Sequence, residues 1–154
     1  MDFRLLLHHT VCGALAAAGF GVLFNVGFRA LSWCAGSGAL MLAVRTIAIG
    51  SGSSIEAASF VAALAGGVVV QLLPSTICVS GNALHIVGCI PMIPGGFAAK
   101  AILGLLAVTA QHPSATAGTL ITAMDNSLRV MFTVGALGTG LAIPTLLLSV
   151  RRTR

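Results

Sequence analysis

The sequence predicts an all-α fold, a polytopic transmembrane helical bundle of about five membrane segments, the fourth broken between Pro91 and Gly96. Composition is the first reason, because 57% of the 154 residues are hydrophobic and 7% are charged, whereas soluble domains carry about 25% charged residues. The second reason is that the apolar runs are continuous and about 20 residues long, whereas the strands of a membrane barrel alternate over about ten. We expect a single transmembrane domain over residues 1–154.

Five apolar segments follow one another along the chain. The first three are each close to one membrane thickness, and the fourth is too long for one straight span. The fifth can begin before its apolar core, because residues 116–124 are also compatible with a helix. The segments cover residues 5–24, 30–49, 56–73, 77–110 and 127–150.

Two polar stretches are typical of turns between these segments. They are GSGSS at residues 50–54 and QHPS at residues 111–114. Ser53 and Glu56 have the spacing of a capping box, in which a hydroxyl and a carboxylate satisfy the first N–H groups of a helix. We therefore expect Glu56 to belong to the start of the third helix.

The charges at the ends of the chain bear on its orientation. The net charge is +5, and most basic residues are scattered singly. The exception is a carboxyl-terminal cluster of Arg151, Arg152 and Arg154. Such a cluster is typical of a cytoplasmic anchor and not of a nucleic-acid surface. Five spans place the amino terminus outside, and a re-entrant fourth segment would place it inside. His8 and His9 interrupt a run that otherwise resembles a signal peptide, so we expect a retained first helix.

Small residues recur at four-residue spacing, which lets helices approach closely in lipid. Gly13, Ala17 and Gly21 form such a stripe in the first segment, and glycines cluster around Gly138 in the last. Packing within the chain is one explanation. Five short helices with so many small faces would make a thin bundle, however, which favours a partner subunit and leaves a higher hetero-oligomer open.

No spacing of residues indicates an enzyme. The four cysteines have neither CxxC spacing nor a metal-ligand companion, and we expect small buried side chains at Cys12, Cys34, Cys78 and Cys89. No serine, cysteine or acid pair has the spacing of a nucleophilic or metallohydrolase motif, and no nucleotide-binding motif occurs. We expect no catalytic residue, no metal site and no cofactor.

The stretch IPMIPGG, residues 90–96, places two prolines and two glycines inside the fourth segment. Proline removes a backbone donor and glycine weakens a helix, so we expect one helix to end here and another to begin near Gly95. A helix start is electropositive and leaves about four N–H groups free, and Lys100 follows Gly95 by five residues.

This combination suits a carboxylate, as in transporters with broken helices. The predicted site comprises Pro91, Pro94, Gly95, Gly96 and Lys100. A structural kink or an extramembrane loop is the alternative for the break, and snorkelling or pairing with an acid of another subunit is the alternative for Lys100.

Other polar residues extend this candidate site. Asn25 and Arg29 are four residues apart and would share one face of a helix, with an inner-leaflet anchor as the alternative. Asn126 can supply an amide to substrate or, like Asp125, cap the last helix. Asp125 and Arg129 have the spacing of an ion pair and can neutralise each other.

Two further positions carry polar groups within apolar runs. Arg45 lies near the end of the second segment and is expected to snorkel, with lining a pathway as the alternative. His8 and His9 would point about 100° apart on a helix, so only one of them can face a given path.

Three stretches of the chain resemble the threonine/serine exporter family. They are GFGVLFNVGFRALSWCAGSGAL from Gly19, IPMIPGG from Ile90, and GALGTGLAIPTLLL from Gly135. The resemblance spans nearly the whole chain and is closest to the small subunit of the split, two-chain members (YjjB-like). Lys100 and Arg129 depart from the split-type pattern, so a substrate role for Lys100 rests on the physical argument alone.

The resemblance implies a multi-pass protein of the bacterial inner membrane that works with a larger membrane subunit. Together they would export a small carboxylate metabolite, an amino acid such as threonine or serine or a dicarboxylate such as succinate. Gradient-coupled alternating access is the expected mechanism, because no nucleotide motif occurs. A non-transporting scaffold that stabilises a partner is the alternative. The predicted substrate-binding residues are Asn25, Arg29, Pro91, Pro94, Gly95, Gly96, Lys100 and Asn126.

Overall fold

The computed structural model describes residues 3–72, 86–110 and 116–152, and these residues form helices without any strand. The predicted all-α class is confirmed. The last three residues of α4, Ile90–Met92, form a 3₁₀ turn. The helices are α1 (Phe3–Leu23), α2 (Phe28–Gly50), α3 (Ile55–Leu72), α4 (Ile86–Met92), α5 (Gly95–Thr109) and α6 (Ala117–Arg152).

Three helices are long and apolar enough to cross a membrane, namely α1, α2 and the Ala117–Leu147 part of α6. Together, α4 and α5 pass the same test as a fourth span that is broken, or as a re-entrant loop. A further apolar helix among the described residues, Ile55–Gln71, is shorter than these spans. All five predicted segments are thus helical where the structure describes them, and the last begins ten residues before its predicted apolar core, at Ala117 and not Ser127. The predicted start of the fourth segment, the 111–114 turn and Cys78 lie outside the described residues.

The chain divides into two compact units. The first unit comprises residues 1–92 and 136–154, and the second comprises residues 93–135. The boundary at residues 92 and 93 falls within the predicted break. A single domain over residues 1–154 stays a prediction.

Small residues allow α1 and α2 of the first unit to pack closely. A Cβ atom added to Gly38 of α2 would lie 2.6 Å from the carbonyl oxygen of Gly13 in α1, which is closer than real Cβ contacts come. Gly13, Ala17 and Gly21 are all buried, as the small-residue stripe predicts. Side chains of α2, α3, α4 and α6 close the neighbouring core, which contains Met41, Ala62, Ala63, Cys89, Met92 and Leu137.

Two of the described cysteines are buried and one is not. Cys34 and Cys89 lie in the core of the first unit, whereas Cys12 is exposed on α1. The prediction of a buried side chain at Cys12 is therefore wrong. Apolar runs indicate membrane helices but do not tell which face of each helix other helices of the chain cover, so Cys12 could not be placed from its neighbours in sequence.

The turn between α1 and α2 corrects the predicted helical pairing of Asn25 with Arg29. Asn25 has a φ of +53° and lies after the end of α1, whereas Arg29 is already in α2. The N–H of Val26 donates to the Gly21 carbonyl oxygen (2.9 Å) and that of Asn25 to the Val22 oxygen (3.0 Å). This pattern is a Schellman cap, in which asparagine tolerates the left-handed backbone better than most residues do.

The start of α3 corrects the predicted capping box by one residue. The Ala57 N–H donates to the side-chain oxygen of Ser54 at 3.2 Å, so the capping residue is Ser54 and not Ser53. Ser53 instead belongs to the cap of α2, where its N–H donates to the Ala48 carbonyl oxygen at 3.1 Å. Gly52, with a φ of +92°, supplies the left-handed residue that this second cap requires.

The second unit consists of α5 and the first half of α6. A Cβ atom added to Gly104 would lie 2.7 Å from the Cβ of Ala123, so the two helices approach closely there. Asp125 and Arg129 form the predicted ion pair at 3.1 Å, and the Arg129 guanidinium lies 5.9 Å from the ring centre of Phe97. Thus α5 and α6 are held together by a small-residue contact and by a cation–π contact.

Candidate functional site

The predicted interruption at IPMIPGG is present and has a defined backbone geometry. The helical pattern stops at Met92 and resumes at Gly95. Pro94 has φ −79° and ψ 66°, and the Gly95 N–H donates to the Ile93 carbonyl oxygen at 2.8 Å. These values define an inverse γ-turn, which redirects the chain without a residue of positive φ.

This turn uses most of the amides that the break was expected to leave free. Besides the Gly95 N–H, those of Phe97 and Ala98 both donate to the Pro94 carbonyl oxygen at 3.1 Å. Among the described residues, Gly96 is the position in this turn whose N–H has no acceptor. Gly95 and Gly96 are both exposed, and nothing lies within 4 Å of a Cβ added to either of them. The predicted carboxylate site thus loses its Gly95 amide in this conformation and keeps the Gly96 amide.

A groove in the second unit brings two of the predicted site residues together. Its volume is about 430 Å³, and it lies between α5 and the first turns of α6. Lys100 lines it from α5, and Asn126 lines it from α6. The groove is also lined by Leu103, Gly104, Gly118, Thr119, Thr122 and Ala123.

The positive end of α6 opens onto the same groove as Lys100. Thr116 caps this helix, because its hydroxyl oxygen accepts from the Thr119 N–H at 3.3 Å while the Thr119 hydroxyl accepts from the Thr116 N–H at 3.3 Å. This reciprocal pair corrects the prediction that Asp125 or Asn126 caps the helix, since both lie well inside it. The N–H groups of Ala117 and Gly118 have no backbone acceptor among the described residues. A lysine ammonium and a helix start therefore act on one groove, which favours an anion there.

Asn126 and Thr122 give the groove hydrogen-bond acceptors. Asn126 is 6% exposed, and its side-chain nitrogen donates to the Thr122 carbonyl oxygen at 2.8 Å. That contact leaves the Asn126 amide oxygen as an acceptor. The Thr122 hydroxyl donates to the Gly118 carbonyl oxygen at 2.9 Å, so its oxygen also keeps lone pairs for a donor.

The other predicted site residues lie elsewhere. Asn25 and Arg29 are exposed in the first unit, one in the cap of α1 and one at the start of α2. Pro91 belongs to the first unit and lines a cleft beside Arg45, and Pro94 is buried in the second. Their substrate-binding roles stay predictions.

Sequence reasoning missed Thr119 and Thr122. A signal for the threonines was present, because Thr119, Thr122 and Asn126 are spaced by three and four residues and so share one helix face. Arg45 was expected to snorkel, with lining a pathway as the alternative; it lines a cleft, and its Nη1 donates to the Met92 carbonyl oxygen at 3.0 Å. This contact joins residues 47 positions apart and fixes the last carbonyl before the break.

Comparison with known families identifies the family of the chain. The sequence model described as Threonine/Serine exporter, ThrE, matches residues 9–147. No solved structure matches the chain. The match covers the break at residues 90–96, and it includes Lys100 of the groove and Arg45 of the neighbouring cleft. It also includes all of the predicted site residues. The chain therefore belongs to the threonine/serine exporter family, and it is a multi-pass membrane protein of a family of transporters.

Proposed function

We propose that this chain is the small membrane subunit of a two-component exporter and that the Lys100 groove binds its substrate, a small amino acid such as threonine or serine. One observation carries the proposal. Lys100, the start of α6 and the acceptors of Thr122 and Asn126 all line one groove of the second unit. A site that offers both a cation and hydrogen-bond acceptors matches a zwitterion.

Each group of an α-amino acid finds a suitable chemical partner. The substrate carboxylate would accept a hydrogen bond from the Lys100 ammonium, since charge-assisted bonds are the stronger ones. The substrate ammonium would donate to the oxygens of Asn126 and Thr122. The apolar side chain of Leu103, which also lines the groove, would contact the side group of the substrate.

The same groove favours an amino acid over a dicarboxylate. Lys100 is the one cationic side chain among the residues that line it. A dicarboxylate such as succinate that keeps one carboxylate on Lys100 would compensate its second negative charge only by reaching the start of α6. An amino acid instead places its ammonium beside the oxygens of Asn126 and Thr122. Succinate export is therefore the second candidate substrate class.

The proposed partner is a larger membrane subunit. Many large apolar side chains of this chain are exposed, including Met131 at 70% and Phe132 at 65%, and a Cβ added to Gly135 or Gly138 would meet nothing within 4 Å. Lipid covers part of such a surface, and open glycines on a helix favour close approach of another helix. Alternating access between two chains in the bacterial inner membrane, driven by an ion gradient, completes the proposal.

The test is efflux from cells that express this chain together with its candidate partner. Cells are preloaded with labelled threonine, serine or succinate, and each chain alone serves as a control. We expect threonine or serine efflux only with both chains, and we expect Lys100→Gln to reduce it. Arg4→Gln is the matched control, because Arg4 is an exposed cation on α1 outside the groove.

Two results would contradict the proposal in different ways. If the complex assembles but Lys100→Gln and Asn126→Leu leave efflux unchanged, the groove is not the substrate site. If the complex assembles and moves none of the three metabolites, while loss of this chain depletes its partner, the chain is a scaffold.

A further inference from the structure

A second cleft, in the first unit, contains a cation that the Lys100 groove does not use. Its volume is about 460 Å³, and it lies among α1, α2 and the 3₁₀ turn of α4. Most of its wall is apolar, and its polar side chains are those of His9, Arg45 and Thr46. It is lined by Leu5, His9, Leu42, Arg45, Thr46, Ile49, Gly50 and Pro91.

The protein satisfies the Arg45 guanidinium only in part. Its Nη1 donates to the Met92 carbonyl oxygen at 3.0 Å, whereas its Nε is buried and has no hydrogen-bond partner among the described residues. The ion pair that the described residues form joins Asp125 to Arg129, so no described carboxylate lies within ion-pair distance of Arg45. A guanidinium offers five N–H donors in a planar fork, so one carbonyl oxygen leaves most of its capacity unused.

The remaining polar groups of the cleft suit the same kind of ligand. The Thr46 hydroxyl donates to the Leu42 carbonyl oxygen at 2.8 Å, so its oxygen is left as an acceptor. His9 lines the cleft, whereas its neighbour His8 is exposed and lies 3.8 Å from the Cys12 sulfur. The cleft thus offers three polar groups beside an apolar wall. They are the Arg45 guanidinium, which suits a carboxylate, the His9 imidazole, and the Thr46 hydroxyl oxygen as an acceptor.

We infer that the Arg45 cleft is a second binding site for a small carboxylate, held by the Arg45 fork and His9, with Leu5, Leu42 and Ile49 against its aliphatic part. The inference rests on the proposed function for the choice of ligand class. The contacts that carry it all lie within the first unit, and none involves Lys100. Each chain therefore has two carboxylate-binding sites, one in each compact unit.

The experiment is equilibrium dialysis of the purified full chain in detergent against labelled L-threonine and against labelled succinate. We expect two bound ligands per chain. Arg45→Gln and Arg45→Lys should each weaken one of them by about 10- to 100-fold, because lysine keeps the charge but loses the fork. Lys100→Gln should weaken the other, and Arg4→Gln should weaken neither.

The outcomes separate this inference from the proposed function. A single site that Lys100→Gln abolishes and both Arg45 variants leave unchanged would overturn the inference and leave the proposed function standing. A single site that responds only to the Arg45 variants would support the inference and remove the Lys100 groove. Absence of binding to the wild-type chain would overturn the inference, whereas the proposed function is decided by efflux from the two-chain complex.

A second measurement locates the ligand without any substitution. Phenylglyoxal modifies arginine side chains, and peptide mass spectrometry reports each position separately. We expect saturating threonine to slow modification of Arg45 at least fivefold and to leave Arg4 unchanged, with threonine amide giving no protection. Equal protection by the amide, or none by the acid, would contradict a carboxylate site at Arg45.

Discussion

Arg45 and Lys100 are two cations within apolar helices, and the chain treats them differently. Arg45 is half-buried in the first unit and donates to the backbone at the end of α4. Lys100 is exposed on α5 and faces a groove of hydroxyl and amide oxygens. In sequence both look like single charges in long apolar runs. The difference teaches that the surroundings of a membrane cation, and not its place in a hydropathy profile, decide whether it also supports the fold.

The largest expected effect concerns the packing that frames the Arg45 cleft. Gly38→Leu would force α1 and α2 apart, because even a Cβ atom there would lie 2.6 Å from the Gly13 carbonyl oxygen. We expect a loss of about 3 kcal/mol in the free energy of unfolding, measured by denaturant titration in detergent. The matched control is Gly36→Leu on the same helix, where a Cβ meets nothing within 4 Å. Equal losses in the two variants would contradict the close α1–α2 packing.

Neutralising each of the two cations in turn tests whether they differ in their contribution to stability. Arg45→Gln leaves the Met92 carbonyl oxygen with a weaker donor or with none, so we expect a loss of about 2 kcal/mol in stability. Lys100→Gln should leave the unfolding midpoint unchanged, because Lys100 is exposed and no contact within the described chain depends on it. The same unfolding measurement on both variants checks this. If Lys100→Gln destabilises the protein as much as Arg45→Gln does, Lys100 has a structural role.

A smaller effect tests the hydrogen-bond acceptors of the Lys100 groove. Thr122→Val keeps the shape of the side chain but removes the hydroxyl oxygen that would accept from the substrate ammonium. We expect the apparent KM for threonine efflux to rise about fivefold, which corresponds to one hydrogen bond of about 1 kcal/mol. Thr109→Val is the control, since Thr109 also bonds its own helix but lies outside the groove. An unchanged KM would remove Thr122 from the site.

The smallest effect separates a structural from a binding role for Asn25. At a φ of +53°, Asn25→Gly should keep the cap of α1, and Asn25→Ala should cost about 1 kcal/mol of stability. Both variants remove the amide, so equal loss of efflux in the two would indicate that the amide binds substrate. We expect the glycine variant to export at the wild-type rate. Thermal unfolding and efflux measured on the same pair of variants decide between the roles.

The helices were predictable because hydropathy and segment length are local properties. The break was predictable too, since the effect of Pro91, Pro94 and the two glycines on a helix does not depend on distant residues. Asn25 escaped prediction because its four-residue spacing from Arg29 suggested a helix, while a Schellman cap needs only one left-handed residue. The capping serine was misplaced by one position for a similar reason, because Ser53 and Ser54 are adjacent and both are good caps.

The candidate site was predictable only in part. Lys100 and Asn126 were both predicted, but their meeting in one groove depends on how α5 packs on α6 at Gly104 and Ala123. The contact of Arg45 with Met92 joins residues 47 positions apart, and no local pattern encodes it. The fate of the Gly95 amide depends on the γ-turn at Pro94, which the residue types alone do not specify.

The measurement that tests the central claim most directly is the concentration dependence of threonine efflux by the Lys100→Gln variant together with its partner. If Lys100 holds the substrate carboxylate, the apparent KM rises about tenfold, the amount of assembled complex is unchanged, and Lys100→Arg restores part of the affinity. Unchanged KM and maximal rate in Lys100→Gln, with Arg4→Gln as the matched control, would contradict the assignment of the groove as the substrate site.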